Sequence, residues 1–128
     1  MESPGPSFRR RLLIESLTVL AADASVQVAW LEKHRVATDE IALDFDHAFR
    51  MAERLVEEDQ VGQGALPDLR EIDLVFSGMS GAESAGRWAR TALSTDAGWA
   101  QARQLARQVL VAELGEWNLP LPEIDVIR

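Results

Sequence analysis

Glu40, Asp44 and His47 stand at i, i+4 and i+7, a spacing that puts two carboxylates and an imidazole on one side of a helix. Asp44-x-x-His47 has the spacing of a metal-ligand pair. His34, the only other histidine, adds a second imidazole if its helix lies alongside. Dinuclear carboxylate bundles, however, draw Glu from several helices together with two Glu-x-x-His pairs. This chain offers one candidate pair. The reading this supports is a small-ligand or divalent-metal site made of Glu40, Asp44 and His47, in a helical domain for which catalysis stays open. It ranks second to the reading reached below.

A different chemistry is suggested by Gly78-Met79-Ser80-Gly81-Ala82, which nearly matches the nucleophile elbow G-x-S-x-G. That elbow needs an acid and then a His after the serine, on a large sheet. Here both histidines precede Ser80 and the chain has 128 residues. A turn of small residues between helices fits better. The same glycines, with Arg87 and Arg90 nearby, make phosphate binding a minor reading, because Gly-Lys-Ser/Thr and G-x-G-x-x-G are both missing. No cofactor motif is present. The absence of Cys excludes disulfides, zinc–thiolate sites and thiol chemistry from this chain.

Charge is the more informative signal. The net charge is −8, yet residues 1–38 carry five basic and four acidic groups and residues 74–128 carry five and six. Residues 39–73 hold three basic and eleven acidic groups, so this one segment carries the whole imbalance. Nucleic-acid binding needs a basic footprint and is therefore not expected. An acidic patch suits a basic protein partner or a cation, or serves only as a solvated face.

The element that displays this charge is Asp39–Asp59. Ile41, Phe45, Ala48 with Phe49, Ala52, and Leu55 with Val56 recur at steps of three and four, which predicts one helix of more than four turns. Thr38 or Asp39 is its expected N-cap, and Glu40 sits at the favourable end of the dipole. Glu57, Glu58 and Asp59 crowd the unfavourable end, where fraying is expected unless a cation covers them.

The remaining chain also reads as helical. Residues 1–7, with two Pro and a Gly, form a flexible lead-in to a single domain over 8–117, and 118–128 form an extended tail with two Pro. Phe8-Arg9-Arg10-Arg11 resembles a twin-arginine export signal, but Glu15 interrupts a run too short and polar to span a bilayer. A cytoplasmic location is therefore expected. Ser7–Ala22 is apolar nearly all round, as in a helix central to a core or shared with a second subunit. Leu12, Leu13, Leu17 and Leu20 are its candidate homodimer seam.

Val26–Arg35 reads either as strand, through Val26, Val28 and Trp30, or as helix, and helix is preferred because no partner strand is evident. Further helices are expected from Leu66-Pro67-Asp68 to Met79, over Glu83–Leu93, and over Ala97–Gly115 behind a Ser94-Thr95-Asp96 cap. In the last of these, Trp99, Ala102, Leu105, Ala106, Val109 and Ala112 face inward and Arg103 and Arg107 face elsewhere. Four Trp without any Tyr, spread along the chain, read as core anchors.

The sequence thus implies an all-α bundle of four to six helices. The leading functional expectation is a non-enzymatic interaction module, inhibitor-like, antitoxin-like or adaptor. It would present Asp39, Asp44, Asp46, Glu53, Glu57 and Glu58 to a basic protein partner, without nucleic acid, membrane or cofactor.

Overall fold

A computed structural model describes residues 6–79 and 86–122, with the side chains of residues 6 and 7 left aside. The described chain is all-α. Its helices are α1 (Pro6–Ala21), α2 (Ala24–His34), α3 (Asp39–Phe49), α4 (Ala52–Glu57), α5 (Ala65–Gly78), α6 (Ala92–Thr95) and α7 (Ala97–Leu114). The long helices α1, α3, α5 and α7 close a ring in which each packs on the next, while α2 pairs with α6 and α4 leans on α1. Val26–Trp30 lies in α2 and is helical, and no strand exists among the described residues for it to pair with. No single described helix is long and apolar enough to cross a membrane.

α1 is the central helix. Leu13, Leu17, Leu20 and Ala21 are fully buried, and even Ser16 and Thr18 are enclosed, returning their hydroxyls to the carbonyls of Leu13 and Ile14. These leucines hold the chain's own core. Of the four expected at a homodimer seam, Leu12 alone reaches the surface.

The C-terminal end of α1 is closed from a distance. A helix leaves its last carbonyls without intrahelical donors. Here the fully buried Gln27 donates its Nε2 to Val19 O (3.1 Å) and Leu20 O (3.0 Å). From α7, Arg107 Nε donates to Ala21 O at 2.8 Å and Arg103 Nε to Ala22 O at 3.0 Å. Arg103 also reaches Gln27 Oε1 and Leu93 O, and Arg107 reaches Asp23. Two arginines at the negative end of a helix dipole are favourable in their own right. Both therefore face inward at their tips, contrary to the outward placement expected from the period of α7. Ala112, expected inside, is exposed, and Leu110 is buried instead.

Two other expectations change. The Asp39–Asp59 stretch is two helices: at Arg50–Met51 the hydrogen bonding tightens, Met51 N donating to Ala48 O, and α4 sets off against α1. Burial of Leu55 and Val61, with Arg10 Nε on Gln60 O at 2.8 Å, holds α4 there. The stretch ends with Asp59 in the left-handed region (φ 58°) and Gln60 N bonded back to Leu55 O, a Schellman-type stop.

The described part of the expected Glu83–Leu93 helix is instead a short 3₁₀ turn at 86–88, followed by α6. Indoles compete for backbone carbonyls here: Trp88 Nε1 binds Met79 O and Trp99 Nε1 binds Arg87 O, each at 2.8 Å. Arg87 grips the N-cap of α7, Asp96, through both oxygens (2.8 and 3.1 Å). A Cβ at Gly98 would come within 2.8 Å of Arg87 Nη2 and Met79 Sδ, so those flexible side chains would have to shift to admit it. α7 stops as expected at Gly115 (φ 83°). Beyond it Trp117 lies under the guanidinium of Arg107, 3.7 Å away, and Trp30 Nε1 ties down Pro122 O at 2.8 Å.

Candidate functional site

The acidic segment does not form one stripe. A helix advances 100° per residue, so its carboxylates point to several sides, and the turn between α3 and α4 separates them further. Most of the expected partner-binding acids are engaged within the chain. Glu53 meets Arg70 at 3.1 Å and Glu58 meets Arg9 at 3.6 Å. Arg9 is thus the cation that covers the end where fraying was expected. Glu57 lies apart beside Asp59 and Glu113, where Glu113 accepts from Gly62 N.

Asp44 takes a different direction from its neighbours. It lines a cleft of about 270 Å³ with His47 of α3, Glu15 of α1, Trp30 of α2 and Pro122 of the tail. Its carboxyl is pushed up from 3.8 to about 6, chiefly by burial, then by the charge and hydrogen bond of Glu40, with His47 pulling the other way. Glu40, Asp44 and His47 are therefore neighbours on α3, as their spacing implies. Among the described residues no three His, Asp or Glu side chains are placed to hold a metal ion. One helix supplies Glu40, Asp44 and His47, and Glu40 is committed to Asp44. His34 is turned edge-on to Trp30, ring centres 5.2 Å apart.

A raised carboxyl stabilises the folded state when protonated, because the folded chain holds that proton more tightly than the unfolded one. The contribution is complete below 3.8 and is lost as pH rises through about 6. Asp44→Asn keeps a neutral group at every pH. Its melting temperature relative to the natural chain is expected to climb as pH rises through about 6, and thermal melts across that range measure the difference.

Asp39 and Asp46 belong to the third region, the groove between α3 and α5. This groove, about 410 Å³, has Ala42, Leu43 and Phe45 of α3 on one side, Phe76 and Ser77 of α5 on the other, and Trp88 closing it. Its floor is aromatic: Phe45 stacks on Phe49 and meets Phe76 edge-on at 6.1 Å, and Phe76 leans on Trp88 and Trp99. Asp39 and Asp46 stand on the α3 rim and Asp73 on the α5 rim. Asp46 is paired with Arg50 at 2.9 Å, but that arginine is 73% exposed and such surface pairs are weak.

Among the described residues, Asp39 and Asp73 have no ion-pair partner. The sequence places Asp73 on the polar side of α5 and Phe45 and Phe76 on helix inner faces, without joining them into one groove. The one local signal is Leu43 lying between Asp39 and Asp46, recognisable only once α3 and α5 are known to be neighbours. Ser80, Gly81 and Ala82 of the elbow-like motif lie outside the described residues.

Family models, curated proteins and solved structures were all compared with this chain, and none matches.

Proposed function

We propose that this chain is a protein-interaction module that presents the α3 side of its ring to a basic protein partner. The observation that carries the proposal is the α3/α5 groove, where the exposed Leu43 and the half-buried Trp88 lie among Asp39, Asp46 and Asp73. Apolar surface supplies contact energy and the rims supply orientation and encounter rate. Within the acidic set read from sequence, Asp39 and Asp46 carry the role, joined by Asp73. Glu53 and Glu58 lie outside this groove, beside Arg70 and Arg9, and Asp44 faces the other cleft.

Purified gently at low salt, the chain should retain a basic polypeptide. Titration against that polypeptide should show affinity falling about tenfold or more between roughly 50 and 300 mM salt. Asp39→Asn with Asp73→Asn should remove much of that dependence and leave the melting temperature nearly unchanged, since both groups are on the rim. Affinity indifferent to salt and to these substitutions would overturn the proposal.

A small-ligand role for the Asp44–His47 cleft is the second reading, supported by a raised carboxyl beside an imidazole in a cleft of about 270 Å³. A ligand there is expected to raise the melting temperature in the natural chain and not in His47→Ala.

A further inference from the structure

Resting on the interaction-module reading, we infer that the α3/α5 groove takes an amphipathic helix of a basic partner, with cationic side chains two turns apart flanking an apolar anchor. Three features of the groove lead there. Asp39 and Asp46 are seven residues apart on α3, which is about 10 Å along the axis, with Ala42 and Leu43 between them. A helix lying in the groove repeats that distance between its own residues i and i+7, and between them carries i+3 and i+4 on the same side. Cations at the first pair meet Asp39 and Asp46, and an apolar residue at the second settles against the exposed Leu43, above Phe45 and Phe76, which are themselves nearly fully buried.

The anchor has something to meet. Leu43, which lines the groove, is 46% exposed. The opposite rim offers Asp73 to a third cation. An extended peptide has no matching edge, because the described residues contain no strand whose backbone groups it can pair with.

A second copy of this chain fits poorly. Its net charge is −8, and a symmetric pairing through this face would set Asp39, Asp46 and Asp73 against themselves. Among the described residues, Phe8, Arg11 and Leu12 are exposed near the start of α1, and Arg11 pairs with Glu15 at 3.3 Å.

The four tryptophans make the test direct. Trp88 lines the groove, Trp30 lines the Asp44–His47 cleft, Trp117 lies on the α7 surface and Trp99 is in the core. The full chain labelled with 5-fluorotryptophan gives a fluorine resonance for each, assigned by single Trp→Phe variants. The probe is a synthetic helix with Lys at i and i+7 and Leu and Phe between them; the control carries Glu in place of Lys.

The basic helix is expected to move the Trp88 resonance and leave Trp30 and Trp117 in place. Its dissociation constant should rise about tenfold in Asp39→Asn/Asp73→Asn, and similarly in Leu43→Ser. Equal binding by the Glu control overturns the inference. Salt-sensitive binding that moves Trp30 or Trp117 and not Trp88 also overturns it, yet leaves the interaction module standing on another surface. Failure of the helix to bind at all, while a basic polypeptide retained by the chain does bind, removes the helical occupant alone; failure of both removes the module reading as well. A Trp88 shift that grows with protein concentration in the absence of peptide, together with a rising sedimentation mass, assigns the groove to a second copy instead.

Discussion

Arg103→Met is expected to lower the unfolding free energy by about 3 kcal/mol, because it strips donors from buried acceptors and keeps the apolar stem. Three acceptors depend on that guanidinium: Ala22 O at the end of α1, Leu93 O in α6, and Oε1 of the fully buried Gln27. None has an obvious replacement. Burial pulls the Arg103 guanidinium below its ordinary value, with Arg107 adding to the effect and Asp23 opposing it, so the arginine is held there by the carbonyls it satisfies. Gln27→Leu removes one acceptor, but also the donor to Val19 O and Leu20 O, and is expected to cost about 2 kcal/mol. Because Gln27 and Arg103 share a bond, the double variant should lose less than the sum, and a urea-unfolding double-mutant cycle reads the difference. Strict additivity would show that each side chain acts on α1 independently.

That cluster also marks the boundary of what the sequence makes legible. Apolar periodicity locates α1, α3, α5 and α7, and the stop at Gly115 follows from glycine's ease in the left-handed region. Arg103 and Arg107, however, obey the same period as any outward-facing residue. Their stems run along the surface and their tips turn inward. The carbonyls they cap belong to residues more than 80 positions earlier, and no local pattern records that. Gln27, a buried polar side chain within an ambiguous segment, was the nearest clue.

The acidic segment teaches a related lesson. Net charge counted along the chain is a property of composition, whereas a binding face is a property of direction. Asp44 and Asp46 are two residues apart and point into different clefts on opposite sides of α3. Glu53 and Glu58 find arginines that come from α5 and α1. The groove needs one wall from each of two helices separated by the α4 turn, so Asp73 and Phe76 enter the site only through the packing of α3 on α5. Relations within one helix, such as Glu40 with Asp44 and His47, were legible from spacing; relations between helices were not.

Trp99→Ala is expected to be the most damaging single change, at about 4 kcal/mol, in the range seen for truncating large buried aromatics. Trp99 is fully buried, meets Phe76 edge-on at 5.2 Å and Trp88 at 5.6 Å, and donates its indole N–H to Arg87 O. A loss of that size is a large part of the stability of a domain this small. Trp99→Phe keeps an aromatic edge and gives up the hydrogen bond with part of the volume, so a smaller loss of about 2 kcal/mol is expected.

The functional consequence follows from the same contacts. Trp88, the end wall of the groove, is fixed by Trp99 at its ring and by Met79 O at its N–H. The Arg87–Asp96 clamp then secures the start of α7 around Gly98. In Trp99→Phe, which remains folded, the Trp88 fluorine resonance is therefore expected to move in the free protein and affinity for the basic helix to fall, although residue 99 touches no ligand. Unchanged affinity with a moved Trp88 would mean that the aromatic end of the groove shapes the fold but not the binding, leaving Leu43 and the acidic rims to carry it.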